Sequence, residues 1–135
     1  MSDSPRKKIL LADDDLVVLK VMALKLQACG FDVVKVSESQ NVIRRIGEET
    51  PDLILMDLNF GPAAAQGVIE WDGYKMLEWM NRLEQIAQIP IIIITAEDTL
   101  DGRNRCLAAG AAAYLRKPVD FEELLVEIRS LVGGK

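Results

Sequence analysis

At 135 residues the chain has room for one domain of ordinary size, and with half of its residues hydrophobic and 27% charged it can bury a core without disulfide staples. Acids outnumber bases 21 to 16, for a net charge of −5, which argues against nucleic acid or an anionic membrane as the main partner. Histidine is absent altogether, so Ser–His–Asp triads, His-ligated zinc and His general bases are excluded.

The first apolar run, Ile9–Ala12, is continuous, as in a strand buried on both faces, and it stops at Asp13-Asp14-Asp15. Three aspartates end it too early for a signal-peptide core. The period then changes: Leu16, Leu19, Ala23 and Leu26, with Val18 and Met22 beside them, predict a helix from Leu16 to Cys29, closed by Gly30. Phe31 to Val36 reads as a second strand. Ser37 or Ser39 can cap a second helix carrying Val42, Ile43 and Ile46. Leu53–Met56 is a third buried strand, followed after a long connection by a helix with Tyr74, Met76, Leu77, Met80 and Leu83 on its apolar side. Ile91–Ile94 is the fourth and most β-branched strand, expected at the centre of the sheet. A weaker helix from about Leu100 to Ala109 ends at Gly110. Ala112–Leu115 forms a fifth strand, and the last helix carries Phe121, Leu124, Leu125, Ile128 and Leu131.

This is strand–helix five times over, an α/β fold with a parallel, doubly wound five-stranded sheet. The expected domain is residues 1–135, with its core at about 7–132. Cys29 and Cys106 match no metal spacing and read as small core fillers in a reducing cytoplasm. The longest apolar run, around Ile89 to Ala96, is far shorter than a membrane span.

In such sheets, sites lie at the carboxyl ends of the strands. The residues delivered there are Asp13 and Asp14 after the first strand, Asp57 after the third, Thr95 after the fourth, and Lys117-Pro118 after the fifth. Asp14 or Asp15 can cap the first helix, but capping does not explain Asp57, which precedes no helix directly. Carboxylates crowded onto one rim repel by several kcal/mol at an effective dielectric of about 20. A hard divalent cation, with Mg2+ the natural choice, resolves that conflict. A hydroxyl and an ammonium opposite such an ion describe a pocket for phosphoryl oxygens.

The segments ILLADDD, PDLILMD, IIIITA and YLRKP, in order and at matching strand ends, resemble the receiver domain of two-component response regulators. The resemblance runs from Lys8 to Leu131 and implies the flavodoxin-like, CheY-like strand order 2-1-3-4-5. It implies further that Asp57 accepts phosphoryl from a phosphohistidine of a sensor histidine kinase or phosphotransfer protein. Asp13, Asp14 and Asp57 would hold Mg2+ with the backbone carbonyl of Asn59, Asp13 acting largely through water. Lys117 would pair with Asp57 and then with the phosphoryl group, aimed by a cis Lys117–Pro118 bond. Thr95 would bind a phosphoryl oxygen and draw its loop inward, letting Tyr114 rotate into the vacated space and altering the face of the fourth helix, fifth strand and fifth helix. That face would act on a downstream target or an output domain, and it allows a homodimer on phosphorylation. The chain would be no enzyme beyond its own phosphorylation and slow dephosphorylation.

The stretch after Asp57 departs from the family. Asp72-Gly73, which opens the third helix, comes 15 residues after Asp57, with Gly61 at the usual proline place. Phe60, Val68, Ile69 and Trp71 suggest a partial lid over the site, against the plainer reading of a tolerated surface insertion. Two other functions compete. An aspartyl-phosphate hydrolase of the haloacid-dehalogenase type needs an acid where Asn59 stands. A degenerate receiver used only for docking or dimerisation would have lost one of the acids or Lys117.

Overall fold

Successive side chains of a strand point to opposite sides of its sheet, and every strand here uses both. Ile9 and Leu11, Leu53 and Leu55, Ile92 and Ile94 face one side; Leu10 and Ala12, Ile54 and Met56, Ile91 and Ile93 face the other. The computed structural model describes residues 6–58, 73–96 and 99–133. Its strands are β1 (Lys8–Ala12), β2 (Asp32–Val36), β3 (Leu53–Asp57), β4 (Ile91–Thr95) and β5 (Ala113–Arg116). All pair in parallel, in the order β2-β1-β3-β4-β5.

Helices cover both faces. Helices α1 (Leu16–Ala28) and α5 (Phe121–Val132) bury Leu19, Leu26, Leu124 and Ile128 on one side. On the other side lie α2 (Val42–Glu49), α3 (Gly73–Arg82), a single further turn at Glu84–Ala87, and α4 (Leu100–Ala108). They contribute Val42, Ile46, Leu77, Met80, Ile86 and Cys106. Each large aliphatic side chain so buried stabilises the fold by roughly 1.5–3 kcal/mol relative to exposure. The alternation of faces explains why the inner strands read as unbroken apolar runs.

Helix ends follow local chemistry. The Asp15 carboxylate caps α1, accepting from the Val17 and Val18 N–H groups at 3.0 and 3.2 Å. Asp120 caps α5 in the same way through Glu122 and Glu123. Gly30, at φ +99°, closes α1 while the Phe31 N–H reaches back to the Leu26 carbonyl at 3.1 Å.

Several expectations need correction. Neither Ser37 nor Ser39 caps the second helix. A 3-10 turn at Ser39–Asn41 precedes it, and the Asn41 N–H and side-chain amide both return to Glu38, each at 3.0 Å. Leu16 is 68% exposed rather than in the core, because it opens α1 at the rim, beyond the sheet it would have to cover. Cys29 is only half-buried, at the C-cap, whereas Cys106 is fully buried. The fourth strand is interior, but β3 occupies the middle of the sheet. The second and fifth strands begin one residue later than their apolar patterns suggest. Among the described residues, no helix is long and apolar enough to cross a membrane.

Burial pushes the Cys106 thiol up from its ordinary 9.0 to about 11, against a small opposing pull from Arg105. The folded-state value is raised, so this contribution to stability is complete below pH 9 and is lost as pH rises through 11. Urea unfolding at stepped pH should therefore show wild type losing roughly 2–3 kcal/mol more than Cys106→Ala across that window. Equal losses in the two proteins would place the thiol in contact with water.

Candidate functional site

The strand order creates one crevice. From β1 the chain passes outward to β2, then returns to the far side of β1 as β3. Connections therefore diverge above the carboxyl ends of β1 and β3, and a crevice opens between them. Asp13 follows β1 directly, and Asp57 is the last residue of β3. Backbone bonds pin these ends: Asp13 N–H to the Val36 carbonyl at 3.1 Å, Leu58 N–H to Ile94 at 3.2 Å, and Lys117 N–H to Thr95 at 2.8 Å.

Carboxylate oxygens of Asp13, Asp14 and Asp57 all lie within 4.8 Å of one another. The Lys117 ammonium donates to Asp13 Oδ2 and to Asp57 Oδ2, each at 3.0 Å. Asp13 Oδ1 accepts the Asp15 N–H at 2.9 Å. The three adjacent aspartates thus divide their work: Asp15 caps the helix, Asp13 is buried and paired, and Asp14 faces solvent. Burial pushes the Asp13 carboxyl above its ordinary range, outweighing the Asp15 N–H and the Lys117 ammonium, while the Asp57 charge pushes it further. Burial pulls Lys117 down, but hydrogen bonds and charge from Asp13 and Asp57 more than offset this, and the ammonium is held above its ordinary value. One cation between three carboxylates leaves an excess of negative charge on an all-oxygen donor set. That arrangement fits a hard divalent cation.

Thr95 ends β4 with no exposed surface, one register step beyond the Ile94 that pairs with Asp57. Tyr114 on β5 is 5% exposed and packs in the core beside α4. Its ring therefore points inward in this structure. The Lys117–Pro118 bond is cis. Asn59 and the suggested lid residues Phe60, Val68, Ile69 and Trp71 lie outside the described residues.

Sequence reasoning missed two features. The first is an apolar cleft of about 540 Å³ running from Asp13, Asp57 and Lys117 between α1 and α5, walled by Val17, Val21 and Phe121. The signal was present: α1 carries more apolar residues than one buried stripe can use, and Leu16, Val17, Val21 and Leu24 remain exposed. The second is a contact between Tyr74 and Arg105, for which spacing alone offers no clue.

The family model of the response regulator receiver domain matches residues 9–129. Among curated proteins, the chain is 29% identical over 93% of its length to the DNA-binding dual master transcriptional regulator RpaA of Synechocystis, of which it spans 48%. It is 24% identical over 94% of its length to the polar-differentiation response regulator DivK of Brucella ovis, spanning 97% of that protein. Among solved structures, it resembles the receiver domain of sensor histidine kinase PA1611 from Pseudomonas aeruginosa, crystallised with a magnesium ion in its active-site cleft. That match has 29% identity, covers 96% of this chain and 100% of the other, and has a TM-score of 0.79. A match that includes all four strand-end groups, over a sheet in the order 2-1-3-4-5, means that the chain belongs to the response regulator receiver domain family, whose members are phosphoryl-accepting signalling switches.

Proposed function

We propose that Asp57 is the phosphoryl acceptor of this receiver, with Mg2+ held by Asp13, Asp14 and Asp57 and, outside the described residues, by the backbone carbonyl of Asn59. The observation that carries this reading is the Lys117 ammonium at 3.0 Å from both Asp13 and Asp57, inside a cluster of three carboxylates at the switch point of the sheet. A carboxylate nucleophile has no proton to lose, so a chain without histidine needs no general base. An Asp57 oxygen attacks the phosphorus of a phosphohistidine on a sensor histidine kinase or phosphotransfer protein. The P–O bond forms as the P–N bond breaks, and the electron pair leaves with the donor's imidazole. Lys117 is already placed to follow the charge from the carboxylate to the phosphoryl oxygens. Magnesium, when bound, neutralises charge on those same oxygens.

Thr95 stands one step along the sheet edge, where its hydroxyl meets a phosphoryl oxygen and couples the event to α4, β5 and α5. That face, carrying Tyr114, acts on a downstream target or an output domain, and a homodimer formed on phosphorylation would use it too. The domain spans 1–135 and catalyses only its own phosphorylation and slow hydrolysis. Two free thiols and the absence of a membrane-spanning helix among the described residues support a cytoplasmic setting.

With acetyl phosphate and Mg2+, intact-mass measurement should find one phosphoryl group on wild type and none on Asp57→Asn; full labelling of the variant would remove Asp57 from the role. At a Mg2+ concentration 100-fold above its Kd, wild type should gain about 2.7 kcal/mol of stability. Asp14→Asn should lose most of that gain, and an undiminished Mg2+ response in thermal melts would take Asp14 out of the metal site. Thr95→Ala should still be phosphorylated, but NMR shift changes on α4 and β5 should shrink several-fold relative to wild type. Equal shifts in both proteins would reject Thr95 as the coupling residue.

A further inference from the structure

A second connection joins the acceptor strand to α4, and it does not pass through Thr95. The residue after Asp57, Leu58, is 2% exposed, and a Cβ on Gly73 would overlap its backbone carbonyl. The first turn of α3 therefore rests directly on the end of β3, with a glycine where no larger residue fits. The next residue, Tyr74, is half-buried, and the Arg105 guanidinium of α4 lies over its ring, 3.8 Å from the centroid. At its other end the Tyr74 hydroxyl meets α4 again. A Cβ on Gly102 would lie 2.9 Å from the Thr99 hydroxyl, 3.0 Å from that of Tyr74 and 3.7 Å from that of Tyr114. Three hydroxyls thus converge on the one bare position of α4, and two of them belong to the only tyrosines in the chain.

From the ring contact with Arg105, made beside this convergence, we infer that Tyr74 is a positioning residue for the switch: stacked on Arg105, it holds α4 in the place that keeps Tyr114 inward. Helix α4 is poorly suited to hold that place by itself. It is nine residues long with a glycine, Gly102, in its third position, and Leu100 at its start is 75% exposed. The Tyr74–Arg105 contact supplies a tether from α3, whose own position is set by Leu58. Loosening it lets α4 shift and Tyr114 swing outward before any phosphoryl group arrives. The inference deepens the receiver reading by naming a residue that sets the resting balance between the two Tyr114 positions.

Labelling with 3-fluorotyrosine tests it, because in a Tyr74 variant Tyr114 gives the single tyrosine fluorine signal. In unphosphorylated protein, Tyr74→Leu should shift the ratio of inward to outward Tyr114 about two- to five-fold toward outward, as should Arg105→Gln. Tyr74→Phe, which keeps the ring over Arg105, should retain the wild-type ratio. Beryllofluoride with Mg2+ should return Tyr74→Leu to the inward signal, which a simple loss of packing would not allow. An unchanged ratio in Tyr74→Leu, or a shift in Tyr74→Phe as large as in Tyr74→Leu, would overturn the inference. The first comparison contains no phosphoryl mimic, so its failure leaves Asp57 untouched; failure of beryllofluoride to bind wild type falls on Asp57 instead.

Discussion

Two carboxylates sharing one ammonium is the arrangement around which the rest of this molecule is organised. At an effective dielectric of about 20, unit charges 4.8 Å apart repel by about 3.5 kcal/mol, and opposite charges at 3.0 Å attract by about 5.5 kcal/mol. Lys117 therefore holds Asp13 and Asp57 together despite their mutual repulsion. Asp14 makes no salt bridge to Lys117, and its charge remains tolerable because that side chain faces water. The site is held together by Lys117 and still carries an excess of negative charge, which fits a divalent cation. A structural ion pair would have stopped at one acid and one base.

Keeping such a cluster in place is the task of the sheet. Asp13 and Asp57 end neighbouring strands whose side chains are almost wholly removed from water, and backbone hydrogen bonds continue past the strand ends to Asp13, Leu58 and Lys117. A close-packed interior moves little, so the acids cannot separate to relieve their repulsion. The opposite condition holds at α4, which is short, contains Gly102 and exposes Leu100 and Leu107. Between the rigid end and this short helix, the described contacts run from Leu58 to Gly73 and from Tyr74 to Arg105, across the start of α3.

Much of this was legible in order along the chain. Periodicity separated strands from helices, and turn residues such as Gly30 and Gly110 marked their ends. Errors of placement fell at the margins, where local and tertiary preferences compete. Leu16 fits the helical stripe but has no sheet beneath it, and the serines before α2 are good caps displaced by a 3-10 turn that satisfies its donors through Glu38. The surplus of apolar residues on α1 was visible as composition, yet its meaning depended on the cleft that α5 forms beside it.

By itself, the sequence determined which residues arrive at the rim of the sheet. A run of apolar residues must end where the strand leaves the core, so an acid, hydroxyl or amine at that point is placed by the pattern alone. Residues matching the receiver motifs then identified the chemistry such a rim performs. Only the tertiary structure decided how those groups divide the work. That Asp15 caps while Asp14 faces solvent, that Lys117 bridges Asp13 and Asp57, that Tyr114 is already inward, and that Tyr74 meets Arg105 all depend on distances between segments far apart in the chain. Periodicity records which face of its own element a residue occupies; it carries no information about which residue of another element will be opposite, because packing sets that.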